Sequence, residues 1–152
     1  MAIARGAGTE IIRCASFMYT ESDTTATQII AGQQHHIYTV LSIVCYAVGD
    51  CDGITGSMFG YDSNYGSSGQ DIIIFKTGVT SAGQTFVWND KFSFNGTEPT
   101  DFGSNGIDDT DGTKQNALAD QATTTTQRLR VTKAHNNDDW HVTVTFIDQN
   151  NA

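Results

Sequence analysis

Asp139-Trp-His-Val-Thr-Val-Thr-Phe-Ile-Asp148 is the stretch whose reading decides the fold. Trp140, Val142, Val144 and Phe146 fall on one side of it, with His141, Thr143, Thr145 and Ile147 on the other. A period of two with one apolar side is what a strand needs when one face packs on a core and the other meets water. The same alternation recurs upstream. Gln127–Ala134 sets Leu129 and Val131 against Arg128, Arg130 and Thr132, and His135-Asn-Asn-Asp138 between the two strands reads as a hairpin turn.

Further upstream, the longest apolar segment runs from His36 to Val48. Read with strict alternation, Ile37, Leu41, Ile43, Cys45 and Ala47 share one face. Tyr38, Val40, Val44 and Tyr46 share the other. Apolar residues on both faces predict a central strand or one at a subunit contact. Thr85–Phe94 places Phe86, Trp88, Phe92 and Phe94 in one row, expected in the core together with Trp140. Asp71–Thr77 reads as a short buried run through Ile72, Ile73, Ile74 and Phe75. Residues 10–20 set Ile12, Cys14, Ser16 and Met18 against Ile11, Arg13, Ala15, Phe17 and Tyr19. Shorter strands are expected at Gln28–Ala31 and Ile54–Tyr61. Turn clusters such as Gly49-Asp-Cys-Asp-Gly53 and Ser81-Ala-Gly-Gln84 separate these strands at spacings of about ten residues. The expectation is all-β: an antiparallel β-sandwich, jelly-roll-like, of about eight strands. It is a single domain over residues 10–152, preceded by a flexible N-terminal arm over residues 1–9.

Composition narrows the function. The 152 residues carry 17 acidic against 8 basic side chains, a net charge of −9, and no basic stripe. Nucleic acid is thereby excluded as a partner, because phosphate binding needs clustered Lys and Arg. No apolar run is long enough for a signal peptide or a membrane span, so synthesis in the cytoplasm and no membrane contact are expected. Cys14, Cys45 and Cys51 are an odd set; they are expected reduced, with Cys14 and Cys45 acting as small core hydrophobes.

The search for chemistry finds little. Gly66-Ser-Ser-Gly69 lacks the strand–turn–helix setting of a nucleophile elbow, and Gly6-Ala-Gly8 has no strand before it. Asp90 and Glu98 are a carboxylate pair of the kind any acidic sandwich offers. His35 and His36 are adjacent and so point to opposite faces of a strand. The segment Asn95–Gly112 is long, Gly-rich and acidic, with Asp108, Asp109 and Asp111 at its densest point. It lacks the alternate ligand spacing of an EF-hand, and it reads as a solvated acidic loop at an outer or inter-subunit surface, its charges relieved by solvent or a basic partner surface rather than by Ca²⁺. Tyr61 and Tyr65 stand among Ser, Gly and Asn, the composition of adaptable recognition loops. The arm offers Ile3 and Arg5 as one apolar and one basic handle. No catalytic residue, metal or cofactor is expected, and the protein is read as a non-enzyme.

Taken together, four segments carry a resemblance: Ile37–Ala47; Thr80–Phe94 with its Ala82-Gly-Gln-Thr85 turn; Gln127–Lys133 with Leu129-Arg-Val131; and Trp140–Asp148 with Val142-Thr-Val144. Their order resembles that of the small β-sandwich structural proteins of tailed bacteriophages, over roughly residues 36–148. One departure is the segment Asn95–Gly112, which stands where such chains often have a Leu-x-x-Gly-Asp turn. The resemblance implies a virion structural protein, a capsid decoration (cement) or tail-associated subunit that works by protein–protein contacts. Its partners would be other virion subunits, major capsid or tail proteins, and further copies of itself in a symmetric oligomer, a trimer. The alternative is a glycan- or receptor-binding module of a fibre or cell surface. Expected interface residues are Ile3, Arg5, Tyr38, Val40, Tyr46, Tyr61, Tyr65, Asp108, Asp109 and Asp111.

Overall fold

The computed structural model describes residues 9–20, 26–59, 72–97 and 126–150. These form nine strands: β1 (Thr9–Tyr19), β2 (Ala26–Ala31), β3 (His36–Ala47), β4 (Ile54–Phe59), β5 (Ile72–Lys76), β6 (Thr85–Trp88), β7 (Phe92–Asn95), β8 (Arg128–Lys133) and β9 (Trp140–Asn150). All pairings are antiparallel. One sheet runs β1-β9-β3-β6, with β7 also on β3; the other runs β2-β8-β4-β5.

β6 and β7 lie on the same side of β3, pairing with Ile43–Tyr46 and Ile37–Val40 respectively. They are one edge strand interrupted at Asn89–Lys91. With that strand counted once, the described residues form eight strands whose sheets interleave as a jelly roll. The first, third, sixth and eighth build one sheet, and the second, fourth, fifth and seventh the other. The interruption sits opposite an irregularity in β3, where the register against β9 shifts between Val40 and Ser42.

That bulge corrects the reading of β3. One extra residue, Leu41, reverses the side-chain parity of everything after it. Tyr38 and Val40, assigned above to an outer contact face, instead point inward with Ile43, Cys45 and Ala47, and all five are buried. The outer face of β3 holds Ile37, Thr39, Ser42, Val44 and Tyr46. The central position of β3, between β9 and the β6–β7 edge, is as expected.

The core lies between the sheets. Trp140, Val142, Val144 and Phe146 of β9 face it as the alternation requires, opposite Leu129 and Val131 of β8, Ile54 and Met58 of β4, and Ile30 of β2. Two contacts tie the layers together. The Tyr19 hydroxyl donates to the Val131 carbonyl at 2.5 Å, and the Phe75 and Phe86 rings meet across the gap at 5.1 Å. Phe75 fits because its pairing partner is Gly56, over which the ring lies.

Three further expectations change. Ile72 and Ile73 are exposed and only Phe75 of that run is buried, because β5 is an edge strand and not a central one. Cys14 is exposed on β1, while Cys45 and Cys51 are buried, so Cys14 is no core residue. Phe86, Trp88 and Phe92 are half-buried against the rim of the core, since their strand is also an edge; Phe94 and Trp140 are fully inside. Asn95 to Thr97, counted above with the acidic loop, belongs to the fold. Asn95 closes β7, the Gly96 amide donates to His36 O at 2.8 Å, and Thr97 bridges Thr126.

Candidate functional site

No helix among the described residues is long and apolar enough to cross a membrane, and no group of three or more metal-ligating side chains occurs among them. Of the expected interface residues, Ile3, Arg5, Tyr61, Tyr65, Asp108, Asp109 and Asp111 lie outside the described residues. Tyr38 and Val40 are in the core. Tyr46 is the one that the structure places on a free surface, 39% exposed on the outer face of the β1-β9-β3-β6 sheet.

Three of the described acids, Asp50, Asp138 and Asp148, are committed to the fold. Asp138 is buried and accepts the amides of Asp52 at 2.9 Å and His135 at 3.0 Å, fixing the turn before β9. Asp50 accepts the Ala82 amide at 2.9 Å. Asp148, at the inward end of β9, takes Arg13 Nε at 2.8 Å on one oxygen and His36 Nδ1 at 2.6 Å on the other. The His36 ring stacks on Tyr38 at 5.9 Å. Burial, and next the charge of Asp148, push the Tyr38 hydroxyl above its ordinary pKa. This cluster closes the end of the sandwich. The parity of β1 and β9 aims Arg13 and Asp148 at the same space, a pairing legible in the sequence but not drawn from it.

Another buried charge is Lys133. Its Nζ donates to the carbonyls of Thr20 at 2.8 Å and Asn136 at 3.0 Å, reaches that of Asp138 at 3.5 Å, and lies over the Tyr19 ring. On the outside of the other sheet, Arg130 packs its guanidinium on Phe59 at 4.7 Å from the ring centre, with Arg128 behind it at 5.9 Å. Ala26 and Gln28 complete a shallow depression there.

Among the described residues, the outer face of the β1-β9-β3-β6 sheet forms a coherent surface. Its rows follow from the register. Met18 pairs with His141, which pairs with Tyr46 and then Thr85; Ser16 with Thr143, Val44 and Val87; Cys14 with Thr145 and Ser42; Ile12 with Ile147, Thr39 and Ser93. The last row is Glu10, Gln149, Ile37 and Asn95. Glu10, at a corner, is its one formally charged residue, in a chain of net charge −9. Apolar side chains stand exposed on it: Ile12 at 71%, Met18 at 58%, Val87 at 53% and Tyr46, whose ring tilts toward His141 at 5.9 Å. Between them hydroxyls pair laterally, Ser16 with Thr143 at 2.9 Å and Thr39 with Ser93 at 2.7 Å. Sequence reasoning found the β9 part of this face and missed its extent, because the face exists only once four strands are set in register.

No protein-family model matches the chain, and no curated protein does. Among solved structures it is similar to a protein of Bacillus endospore appendages, described as a family of disulfide-linked pili. That likeness has a TM-score of 0.44 and 12% identity, over 100% of this chain and 97% of that one. It is also similar to a chain in the structure of infectious bursal disease virus, Gx strain, with a TM-score of 0.43 and 8% identity. Here 96% of this chain corresponds to 34% of the viral one. The all-β two-sheet architecture stands on the strand pairings themselves.

Proposed function

We propose that this protein is a non-enzymatic structural subunit of a tailed-phage virion, a capsid decoration or tail-associated protein that works by protein–protein contact. The observation that carries the reading is the outer face of the β1-β9-β3-β6 sheet, with four exposed apolar side chains and a single charged corner. Exposed apolar side chains gathered on one sheet face, in a chain of net charge −9, favour an interaction surface. The order of strand motifs over residues 36–148 supplies the virion context. Asp50, Asp138 and Asp148 hold the fold together through backbone amides, Arg13 and His36, which favours a structural over a hydrolytic use of these carboxylates.

Sedimented and density-purified particles from a lysate of the producing strain test the proposal. The chain is expected among their tryptic peptides in tens to hundreds of copies per particle, and its gene beside capsid or tail genes. Its absence from particles, with the soluble fraction holding all of it, would overturn the assignment.

A further inference from the structure

Resting on that reading, we infer that the outer face of the β1-β9-β3-β6 sheet packs against the same face of a second copy of this chain, sheet on sheet. Three observations point to a second copy and not to another kind of partner.

The first is charge. A chain of net charge −9 repels its own copies wherever acids meet, and among the described residues the rows of this face carry one acid, Glu10, at a corner. A basic partner would gain no attraction here. A neutral face of the same protein loses nothing.

The second is the state of its polar groups. Ser16 with Thr143 and Thr39 with Ser93 each share one hydrogen bond within the sheet, so half of these four hydroxyl protons are already donated. Covering them therefore leaves fewer unpaired hydroxyls than four separate ones would, and the remaining protons can be met by the hydroxyl oxygens of an identical face.

The third is size. Four strands at about 4.8 Å spacing, up to 11 residues long at about 3.4 Å each, present on the order of 600–700 Å² per copy. Doubled, that reaches the roughly 1,200–2,000 Å² of a stable interface. Two such faces pack about 10 Å apart with strands within about 30° of alignment. Related by a two-fold axis, the contact is self-complementary and closes at two copies.

Analytical ultracentrifugation of the full chain tests this with two variants, Thr143→Lys at the centre of the face and Val87→Lys on its exposed edge. Thr55→Lys, on the outer face of the opposite sheet, is the control. Unfolding curves of all three confirm that each is folded. A dimer is expected for the wild type at micromolar concentration and for Thr55→Lys. At least about 100-fold weaker association is expected for whichever face variant folds, because each dimer then carries two facing ammonium groups. Cys14, in the row with Thr145 and Ser42, gives a second readout: its labelling by a thiol reagent should slow as protein concentration rises. A wild type that stays monomeric at about 100 µM would overturn the inference. So would a closed trimer, or a dimer indifferent to both face variants. A monomer that is nevertheless found on particles would sink the pairing and spare the virion assignment; a dimer absent from particles would do the reverse.

Discussion

Gly32 and Gly96 pack backbone against backbone. A Cβ on Gly32 would run into the Gly96 carbonyl, and one on Gly96 into the Gln33 carbonyl. The contact is held by amides: Gly32 N–H to Gln127 O at 2.9 Å, Gly96 N–H to His36 O at 2.8 Å, and Gln127 N–H to Gly96 O at 3.1 Å. It joins the ends of β2, β3, β7 and β8, and so locks the two sheets together at one end.

Each of Gly32→Ala and Gly96→Ala is therefore expected to cost about 3 kcal/mol in urea unfolding, the upper end for overpacking, because peptide groups cannot swing aside. The double variant should cost less than the sum, since both methyls disturb one contact. Gly56→Ala meets only the Phe75 ring, a side chain that can turn, and about 1–2 kcal/mol is expected. Equal losses at all three positions would contradict this ranking.

The two tryptophans should separate. Trp140 is fully buried at the centre of the core, so Trp140→Ala is expected to cost about 3–5 kcal/mol. Trp88 is half-buried on the interrupted edge strand, with Phe92 edge-on at 5.3 Å. Trp88→Ala should cost roughly half as much, in proportion to the apolar area removed. Chemical denaturation of both variants measures the difference.

These tryptophans also mark how far the sequence could be read. Strict alternation placed Trp140, Val142, Val144 and Phe146 correctly, because β9 itself runs without a bulge against either neighbour. It failed at β3, where Leu41 adds one residue and moves Tyr38 and Val40 from the surface to the core. A bulge leaves no mark in a run of apolar residues, since either register looks equally well covered. It overestimated Trp88, Ile72 and Ile73 because periodicity reports which side a residue faces, not whether its strand lies at an edge. Tyr46 was placed on the surface, but its neighbours Met18, His141 and Val87 come from β1, β9 and β6, and only the register brings them together.

Lys133 offers a direct test of a buried charge. Replacing a buried ion pair by apolar residues is often neutral, because both partners lose their desolvation cost together. Here the ammonium donates to the carbonyls of Thr20, Asn136 and Asp138, which no substitution removes. Lys133→Met keeps the stem over Tyr19 but withdraws the donor from them. A loss of about 2–4 kcal/mol is expected in urea unfolding, as for buried acceptors stripped of their donor. A neutral or stabilising result would show that the cost of burying the ammonium had cancelled its hydrogen bonds.

The three thiols should behave differently, and the two buried ones make the fold sensitive to alkali. Cys14 is exposed on β1, whereas burial pushes the Cys45 thiol from an ordinary 9.0 up to about 12. Cys51 is raised as well, first by burial, although its thiol also faces the carbonyls of Gly49 at 3.3 Å and Asp139 at 3.4 Å. At pH 8, in protein dilute enough to be monomeric, a disulfide reagent should therefore titrate one thiol rapidly and the other two only on unfolding. Cys14→Ser should abolish the fast phase. The sign of the pH dependence follows from the same shift. A thiol whose pKa is raised in the folded state stays protonated there while the unfolded chain ionises, so the unfolded state binds fewer protons above pH 9. The stabilising effect is complete below about pH 9 and is lost as pH climbs toward 12. Tyr38, raised by burial and by Asp148, adds a loss of the same sign. Melting temperature should accordingly fall through this window, and Cys45→Ala should make the fall shallower while lowering stability at pH 7. A fast phase of two or three thiols in the native protein, or a melting temperature level from pH 9 to 11, would show that Cys45 is not sealed in the core.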